Sequence, residues 1–231
     1  IERYRARGVD YLKPGAARPL VVRDTADPWG MKVRRFRDVV GAFELLDRES
    51  GARLSGVSAV GLPSVRVIED GPVRTIVESL FGYGCSRFVM RFKLPKRGTE
   101  VEIEARVFWN EKDRMLKLAF PIPFAEAKFV GQVACGVADL PANGDEAVSQ
   151  KWLAVVSEEE NAALTVANDG TYGSDFADGE LRLSLLRSPT HAADPGGPAV
   201  PMAQDRFVPR IDQGERIFRF WINGGPPAER L

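Results

Sequence analysis

The chain has 231 residues, with 32 Lys and Arg residues balanced by 32 Asp and Glu residues and a hydrophobic fraction of 44%. A net charge of zero provides no general attraction for nucleic acid or for an anionic membrane. No apolar run approaches the roughly 18 residues of a membrane-spanning helix, and the charged start IERYRARGVDYL does not resemble a secretory signal. We therefore expect no nucleic-acid or membrane partner and a cytoplasmic location.

The cysteine and histidine content argues against a metal site or a catalytic centre within this chain. Cys85 and Cys135 match neither the spacing of a zinc site nor a disulfide framework, and we predict two buried free thiols. The single histidine, His191, lies in the Pro- and Gly-rich sequence SPTHAADPGGP, which is poorly suited to hold a preorganised Ser-His-Asp triad. We expect no metal, no cofactor and no catalytic residue here.

In chain order, residues 1–17 are interpreted as a loosely ordered lead-in and residues 18–231 as one β-sandwich domain. The segment FRDVVGAFELLDRES (36–50) is compatible with a helix, although its β-branched pair and Gly41 favour a strand at least equally. Asp70-Gly71-Pro72 then separates SVRVIE from VRTIVESLF and predicts a hairpin.

The second half of the chain continues with strands of alternating apolar and polar residues. In VEIEARVFW (101–109) the apolar side chains share one face, as in a half-buried antiparallel strand. RMLKLAF (114–120), ELRLSLL (180–186) and RIFRFWI (216–222) follow the same pattern, with turn signals such as Asp178-Gly179 between them. This spacing predicts an all-β protein, a sandwich of antiparallel sheets with long loops and little helix.

Two stretches are predicted to be long loops. Residues 188–210 carry five prolines and two adjacent glycines, and residues 23–31 contain the sequence DPWG. Loops of this length in a compact domain are usually functional or disordered. Glycoside hydrolysis uses a pair of carboxylates, and the pairs Asp24/Asp27, Asp169/Asp175 and Asp194/Asp205 all lie in predicted loops. Asp in a loop is usually a turn or cap residue, and we expect that role for each pair.

Three other loop or strand-end residues are candidates for ligand contact. Trp29, between Pro28 and Gly30, has no strand face to fill, and its ring either stacks on a sugar or closes the end of the core. Tyr172 follows the turn Asn168-Asp169-Gly170 and is open to the same two interpretations. Arg187 ends an alternating strand, where it either pairs with a carboxylate or contacts ligand oxygens.

The order of these segments resembles the C-terminal half of glycoside hydrolase family 38 α-mannosidases. The resemblance is carried by RPLVVRDTADPWGM (18–31), VEIEARVFWNEKDRMLKLAFPIP (101–123) and NDGTYGSDFADGELRLSLLRSPTHAADP (168–195), and it covers roughly residues 18–194. RIDQGERIFRFWINGG (210–225) stands where the commoner branch has a Tyr-Ala-Leu-x-Pro-His ending, and it indicates a less common bacterial branch.

The resemblance implies a large β-super-sandwich similar to galactose mutarotase. It also implies that catalysis belongs to an N-terminal α/β barrel with a zinc ion, an Asp nucleophile and a carboxylic acid/base, which this sequence lacks. The parent enzyme would be a retaining α-mannosidase acting on mannoside-type carbohydrate, and this fragment alone would be inactive. By the same resemblance, Asp27, Trp29, Tyr172 and Arg187 are the candidate contributors to the barrel's sugar pocket.

Two alternatives remain open. One is a free-standing carbohydrate-binding module with aromatic platforms at Trp29 and Tyr172. The other is an epimerase-like enzyme on the same fold, which would need a positioned acid and base and for which His191 is a poor candidate.

Overall fold

The computed structural model describes residues 1–24, 33–57, 61–189 and 209–231. Strands dominate these ranges, as the alternating patterns predict. The strands are β1 (Tyr4–Ala6), β2 (Val9–Leu12), β3 (Arg18–Arg23), β4 (Val39–Ala42), β5 (Glu44–Leu45), β6 (Val65–Asp70), β7 (Arg74–Tyr83), β8 (Ser86–Pro95), β9 (Val101–Trp109), β10 (Arg114–Pro121), β11 (Lys128–Val133), β12 (Gly136–Asp139), β13 (Ala147–Val148), β14 (Trp152–Ser157), β15 (Ala162–Asn168), β16 (Gly173–Ala177), β17 (Glu180–Arg187) and β18 (Gly214–Gly225). The helices are α1 (Arg48–Leu54) and α2 (Pro227–Arg230).

The strands form two large antiparallel sheets and one small hairpin. The six-stranded sheet has the order β13-β16-β17-β10-β3-β4. The ten-stranded sheet has the order β12-β11-β14-β15-β18-β9-β8-β7-β5, with β6 also paired to β7. The large antiparallel sandwich with little helix is therefore confirmed.

The main hydrophobic core lies between the two large sheets. Ile103 and Phe220 enter it from the ten-stranded sheet, Leu118 and Leu183 enter it from the six-stranded sheet, and all four are buried. Burying a side chain of this size contributes on the order of 1.5–3 kcal/mol, so the alternating strands account for much of the driving force for folding. In β9 the predicted alternation is confirmed, because the apolar residues at alternate positions from Val101 to Trp109 are buried and face this core.

The segment 36–50 forms strands β4 and β5 before it enters helix α1, so the strand interpretation holds over its first half. Asp47 caps α1, since its carboxylate accepts hydrogen bonds from the backbone N–H groups of Glu49 and Ser50. Residues 1–17 form the hairpin β1–β2, and Tyr4 and Tyr11 of this hairpin are buried in the main core. The boundary at residue 18 stays a prediction.

The prediction of buried thiols is wrong. Cys85 and Cys135 are free but exposed. Both lie in tight turns between adjacent strands, Cys85 between β7 and β8 and Cys135 between β11 and β12. Their short apolar side chains suggested burial, whereas the turns that contain them fix their exposure.

Residues 168–189 cross from one sheet to the other. Asn168 ends β15 in the ten-stranded sheet, and its side-chain oxygen accepts hydrogen bonds from the backbone N–H groups of Gly170 and Thr171. The chain then enters the six-stranded sheet as the hairpin β16–β17. Asp178 and Gly179 both have positive φ, 53° and 69°, at the tip of this hairpin, as a two-residue type I′ turn requires.

Candidate functional site

The structure brings two of the four predicted pocket residues to one end of the six-stranded sheet. Arg187 is the last residue of β17, and Tyr172 directly precedes β16, the neighbouring antiparallel strand. Tyr172 is 42% exposed. Asp27 and Trp29 lie outside the described residues, and their proposed role stays a prediction.

A β-bulge sets the direction of the Arg187 side chain. Leu181 and Leu183 face the main core, and strict alternation would point residue 187 the same way. The register against β10 shifts, however, so that Leu116 pairs with Leu186 while Lys117 pairs with Ser184. The extra residue turns Arg187 to the outer face of the sheet, which is a common effect of bulges near functional sites.

On that outer face, Arg187 is held in one orientation. Its Nε and Nη2 atoms donate to the two carboxylate oxygens of Asp24 at 2.8 and 2.9 Å. Its guanidinium carbon lies 4.7 Å from the centroid of the Phe36 ring, within the range of a cation–π contact. Asp24 is fully buried and the Arg187 side chain is 19% exposed, so Arg187 is a preorganised guanidinium at the rim of a groove, with its charge compensated by Asp24.

The groove next to Arg187 has a volume of about 570 Å³. Apolar residues Val33, Phe36 and Met115 line it together with Ser184 and Glu146. This mixture of an apolar wall with a few fixed polar groups is typical of small-molecule sites.

A buried ion cluster lies beside the groove on the same outer face. The Lys117 ammonium is completely buried and donates to Asp175 at 2.5 Å and to Glu146 at 2.6 Å. Arg37 also pairs with Asp175, and the Ser184 hydroxyl donates to Glu146. Two cations and two carboxylates therefore compensate each other where an unpaired charge would be costly.

The carboxylate pairs considered for glycoside hydrolysis do not assemble in the described residues. Asp175 binds Lys117 and Arg37, whereas Asp169 is mostly exposed and its nearest cation is Arg219. Asp24 holds Arg187. Asp194 and Asp205, like His191, lie outside the described ranges.

The ion cluster was not predicted from the sequence. The available signal was Lys117 within LKLAF, a lysine flanked by strongly apolar residues in a strand. Its partners are 29 and 58 residues away along the chain, so local patterning could not identify them.

A second groove is strongly apolar and lies on the inner side of the ten-stranded sheet, where β6, β7 and β8 extend it. It has a volume of about 450 Å³, and its lining includes Ile1, Leu45, Val65, Phe92 and Leu94. Leu45 is 52% exposed and Val65 is 49% exposed, which is unusual for residues that continue a core face.

Neither a metal cluster nor a membrane span is found within the ranges that the structure describes. No three His, Cys, Asp or Glu side chains there are grouped so that they could hold an ion. No described helix has the length and apolar character to cross a bilayer.

Two solved structures share this fold. A glycosyl hydrolase family 38 protein from Enterococcus faecalis superposes with a TM-score of 0.67 at 15% identity, over 96% of this chain and 28% of that one. An α-mannosidase from Enterococcus faecalis V583 gives a TM-score of 0.66 at 15% identity, over 96% and 27%. This chain thus spans less than a third of the length of either protein.

A putative aldose 1-epimerase from Escherichia coli K12 superposes with a TM-score of 0.47 at 10% identity, over 98% of this chain and 92% of that one. The search of curated proteins gave no match. The profile of the glycosyl hydrolases family 38 C-terminal domain matches residues 22–198, which is most of the sequence. The chain therefore belongs to the glycosyl hydrolase family 38 C-terminal domain family.

Proposed function

We propose that this chain is the noncatalytic β-sandwich domain of an α-mannosidase-like glycoside hydrolase. In this proposal it packs on an N-terminal catalytic barrel and completes the barrel's sugar pocket. The observation that carries the proposal is Arg187, which Asp24 and Phe36 hold rigidly at the rim of an open groove.

Arg187 is suited to bind a sugar or to orient a carboxylate of the barrel. The guanidinium is a planar fork of N–H donors whose geometry suits hydroxyl and carboxylate oxygens, and Arg187 lines the groove. Tyr172, at the same end of the sheet, adds an aromatic surface.

The apolar groove supports the docking part of the proposal. Its lining is mostly apolar and includes Ile1, Leu45 and Phe92, which suits a contact with another domain. Exposed Leu45, Val65 and Leu94 would become buried in a contact with such a domain. An interdomain interface of this kind typically covers about 600–1,500 Å².

Bond cleavage belongs to the barrel in this proposal. A retaining glycosidase needs a carboxylate nucleophile and an acid/base about 5 Å apart on either side of the scissile bond. The zinc ion that the family resemblance implies would also lie in the barrel. This chain would supply orientation, exclusion of water and part of the contacts to the sugar.

The test is substitution of Arg187 in the protein that contains both the barrel and this domain. We expect Arg187→Lys to lower kcat/KM for an aryl α-mannoside about tenfold or more, because lysine cannot reproduce the forked geometry. Arg23→Lys is a matched control, since Arg23 is on β3 in an exposed pair with Asp38. Unchanged kinetics for Arg187→Lys in a normally folded protein would contradict pocket completion.

A further inference from the structure

A second feature lies on the opposite side of the molecule, on the outer face of the ten-stranded sheet. In the sheet register, Trp152 of β14 lies opposite Ala167 of β15, and Ala167 lies opposite Trp221 of β18. Directly opposed residues of an antiparallel sheet point to the same face. Two strand spacings place the two tryptophans about 10 Å apart, with only the small Ala167 between them.

This row faces away from the core. Phe220 and Ile222, the chain neighbours of Trp221, are both buried between the sheets, and alternation therefore directs Trp221 outward. Leu153 is buried in the same core and likewise directs Trp152 outward. Both tryptophans remain only half-buried, so each presents part of an aromatic surface to solvent.

Polar groups in fixed positions surround Trp221. A groove of about 460 Å³ contains Trp221, Asn223, Glu102 and Lys93. The Thr99 hydroxyl donates a hydrogen bond to the Asn223 side-chain oxygen at 2.7 Å. This contact uses the oxygen of the Asn223 amide and not its N–H groups. Glu102 lies opposite Trp221 in the register.

Lys93 fixes the Glu102 carboxylate and is itself neutralised. Its ammonium donates to Glu102 at 2.6 Å and to Glu104 at 3.1 Å. Arg74, Arg97 and Glu100 also line the groove, and Arg74 is paired with Glu69. The groove therefore combines an aromatic surface, amide donors and carboxylate acceptors, and most of its positive charge is already compensated. Phosphate-bearing ligands need an excess of positive charge, whereas the C–H faces and hydroxyl groups of a neutral sugar match these groups.

From this arrangement, we infer that the outer face of the ten-stranded sheet binds a neutral, linear polysaccharide, with one sugar ring on Trp221 and another along the chain on Trp152. The Asn223 amide and the Glu102 carboxylate bond to the hydroxyl groups of the ring on Trp221. The site is separate from the Arg187 groove, which lies on the outer face of the other sheet. Its role is to hold the protein on a polymer and not to react with it.

Affinity gel electrophoresis of the purified chain tests this inference, with soluble mannan, xylan or β-glucan cast in the native gel. We expect at least one of the three neutral polysaccharides to retard the chain. Trp221→Ala should weaken that retardation about tenfold, as loss of a central aromatic anchor does. Trp152→Ala should weaken it less, because fewer polar groups surround that ring.

Ile217→Ala is the matched control, since Ile217 is a large exposed residue on the same strand and the same face as Trp221. It should migrate like the unaltered chain in every gel. Circular dichroism and thermal unfolding confirm that each variant is folded, and Trp221→Phe should retain part of the binding. Migration that no polysaccharide slows, or retardation that persists in folded Trp221→Ala, would overturn the inference.

Discussion

The outer faces of the two large sheets both carry ionised side chains, but in opposite environments. On the six-stranded sheet, Lys117 and Asp175 are completely buried, and Asp24 beneath Arg187 is buried as well. On the ten-stranded sheet, charges alternate across the strands in a ladder that remains partly open to water. Its members include Arg66, Arg91, Glu104, Lys93 and Arg219, and the buried Glu78 is the exception within it.

The charges of the two faces contribute differently to the stability of the fold. A buried charge that loses its partner destabilises the fold strongly. Each residue of the buried cluster therefore depends on the others. Partly exposed charges recover most of their hydration when a partner is lost, so each contributes little. We therefore expect a substitution in the buried cluster to lower the free energy of unfolding much more than a substitution in the ladder.

The largest expected effect is that of Lys117→Met. This change leaves Asp175 buried with only Arg37 as a cationic partner, and breaking a buried pair typically costs about 3–5 kcal/mol. Urea unfolding of the purified chain measures the loss. Arg219→Met on the ladder is the control, since the Arg219 side chain is 43% exposed, and we expect it to cost about 1 kcal/mol or less. Equal losses for the two variants would refute the contrast.

Arg187→Met should have an intermediate effect. It removes two charge-assisted hydrogen bonds to buried Asp24 and the contact with Phe36, but Arg187 itself is partly exposed. We expect a loss of roughly 2 kcal/mol in the free energy of unfolding. Arg23→Met, at the neighbouring exposed pair, should change it far less, and a negligible loss for Arg187→Met would show that Asp24 does not depend on this arginine.

Acidification should remove the contribution that Glu104 makes to the stability of the protein. Burial raises the pKa of Glu104, but the hydrogen bond from Lys93 and the charges of Lys93, Arg91 and Arg219 outweigh it and hold the pKa below its usual value of 4.5. A carboxyl whose folded pKa is depressed stabilises the protein above the unfolded pKa and loses that contribution as pH falls through the folded pKa.

Glu104→Gln should therefore be less stable than the unaltered chain near pH 7, and the difference should shrink as the pH falls below about 4. Unfolding free energies measured from pH 7 to pH 3 test this. A stability difference that stays constant over the whole range would contradict the assigned direction of the pKa shift.

The smallest effect is expected at the edge of the ten-stranded sheet. Lys128 and Glu158 form a pair in which both side chains are mostly exposed. Because water and salt screen such a pair, Lys128→Met should leave Tm unchanged within error at both low and high ionic strength. A clear, salt-sensitive fall in Tm would show that an exposed ion pair also contributes to stability, against the contrast between the two faces.

Local sequence patterns predicted the strands well, but they did not predict which strands pair with each other in a sheet. The alternation in residues 101–109 encodes which side of β9 is buried, because the period of a strand is local. It does not encode that β9 and β10, joined by the short turn after Trp109, belong to different sheets. That assignment depends on contacts between residues far apart in the chain.

The same limit applies to the candidate site. The end of an alternating strand identified Arg187, but strict alternation would have directed it inward. Only the pairing with β10 reveals the bulge that turns it outward. The adjacent leucines Leu185 and Leu186, both buried in the core, were the one local sign of that bulge.

The most direct test of the proposed division of labour is hydrolysis of an aryl α-mannoside by three samples: this chain alone, the proposed catalytic barrel alone, and the two joined. We expect no release of product by this chain and a markedly higher kcat/KM for the joined protein than for the barrel alone. Release of product by the purified chain, or a barrel equally active without it, would contradict the account.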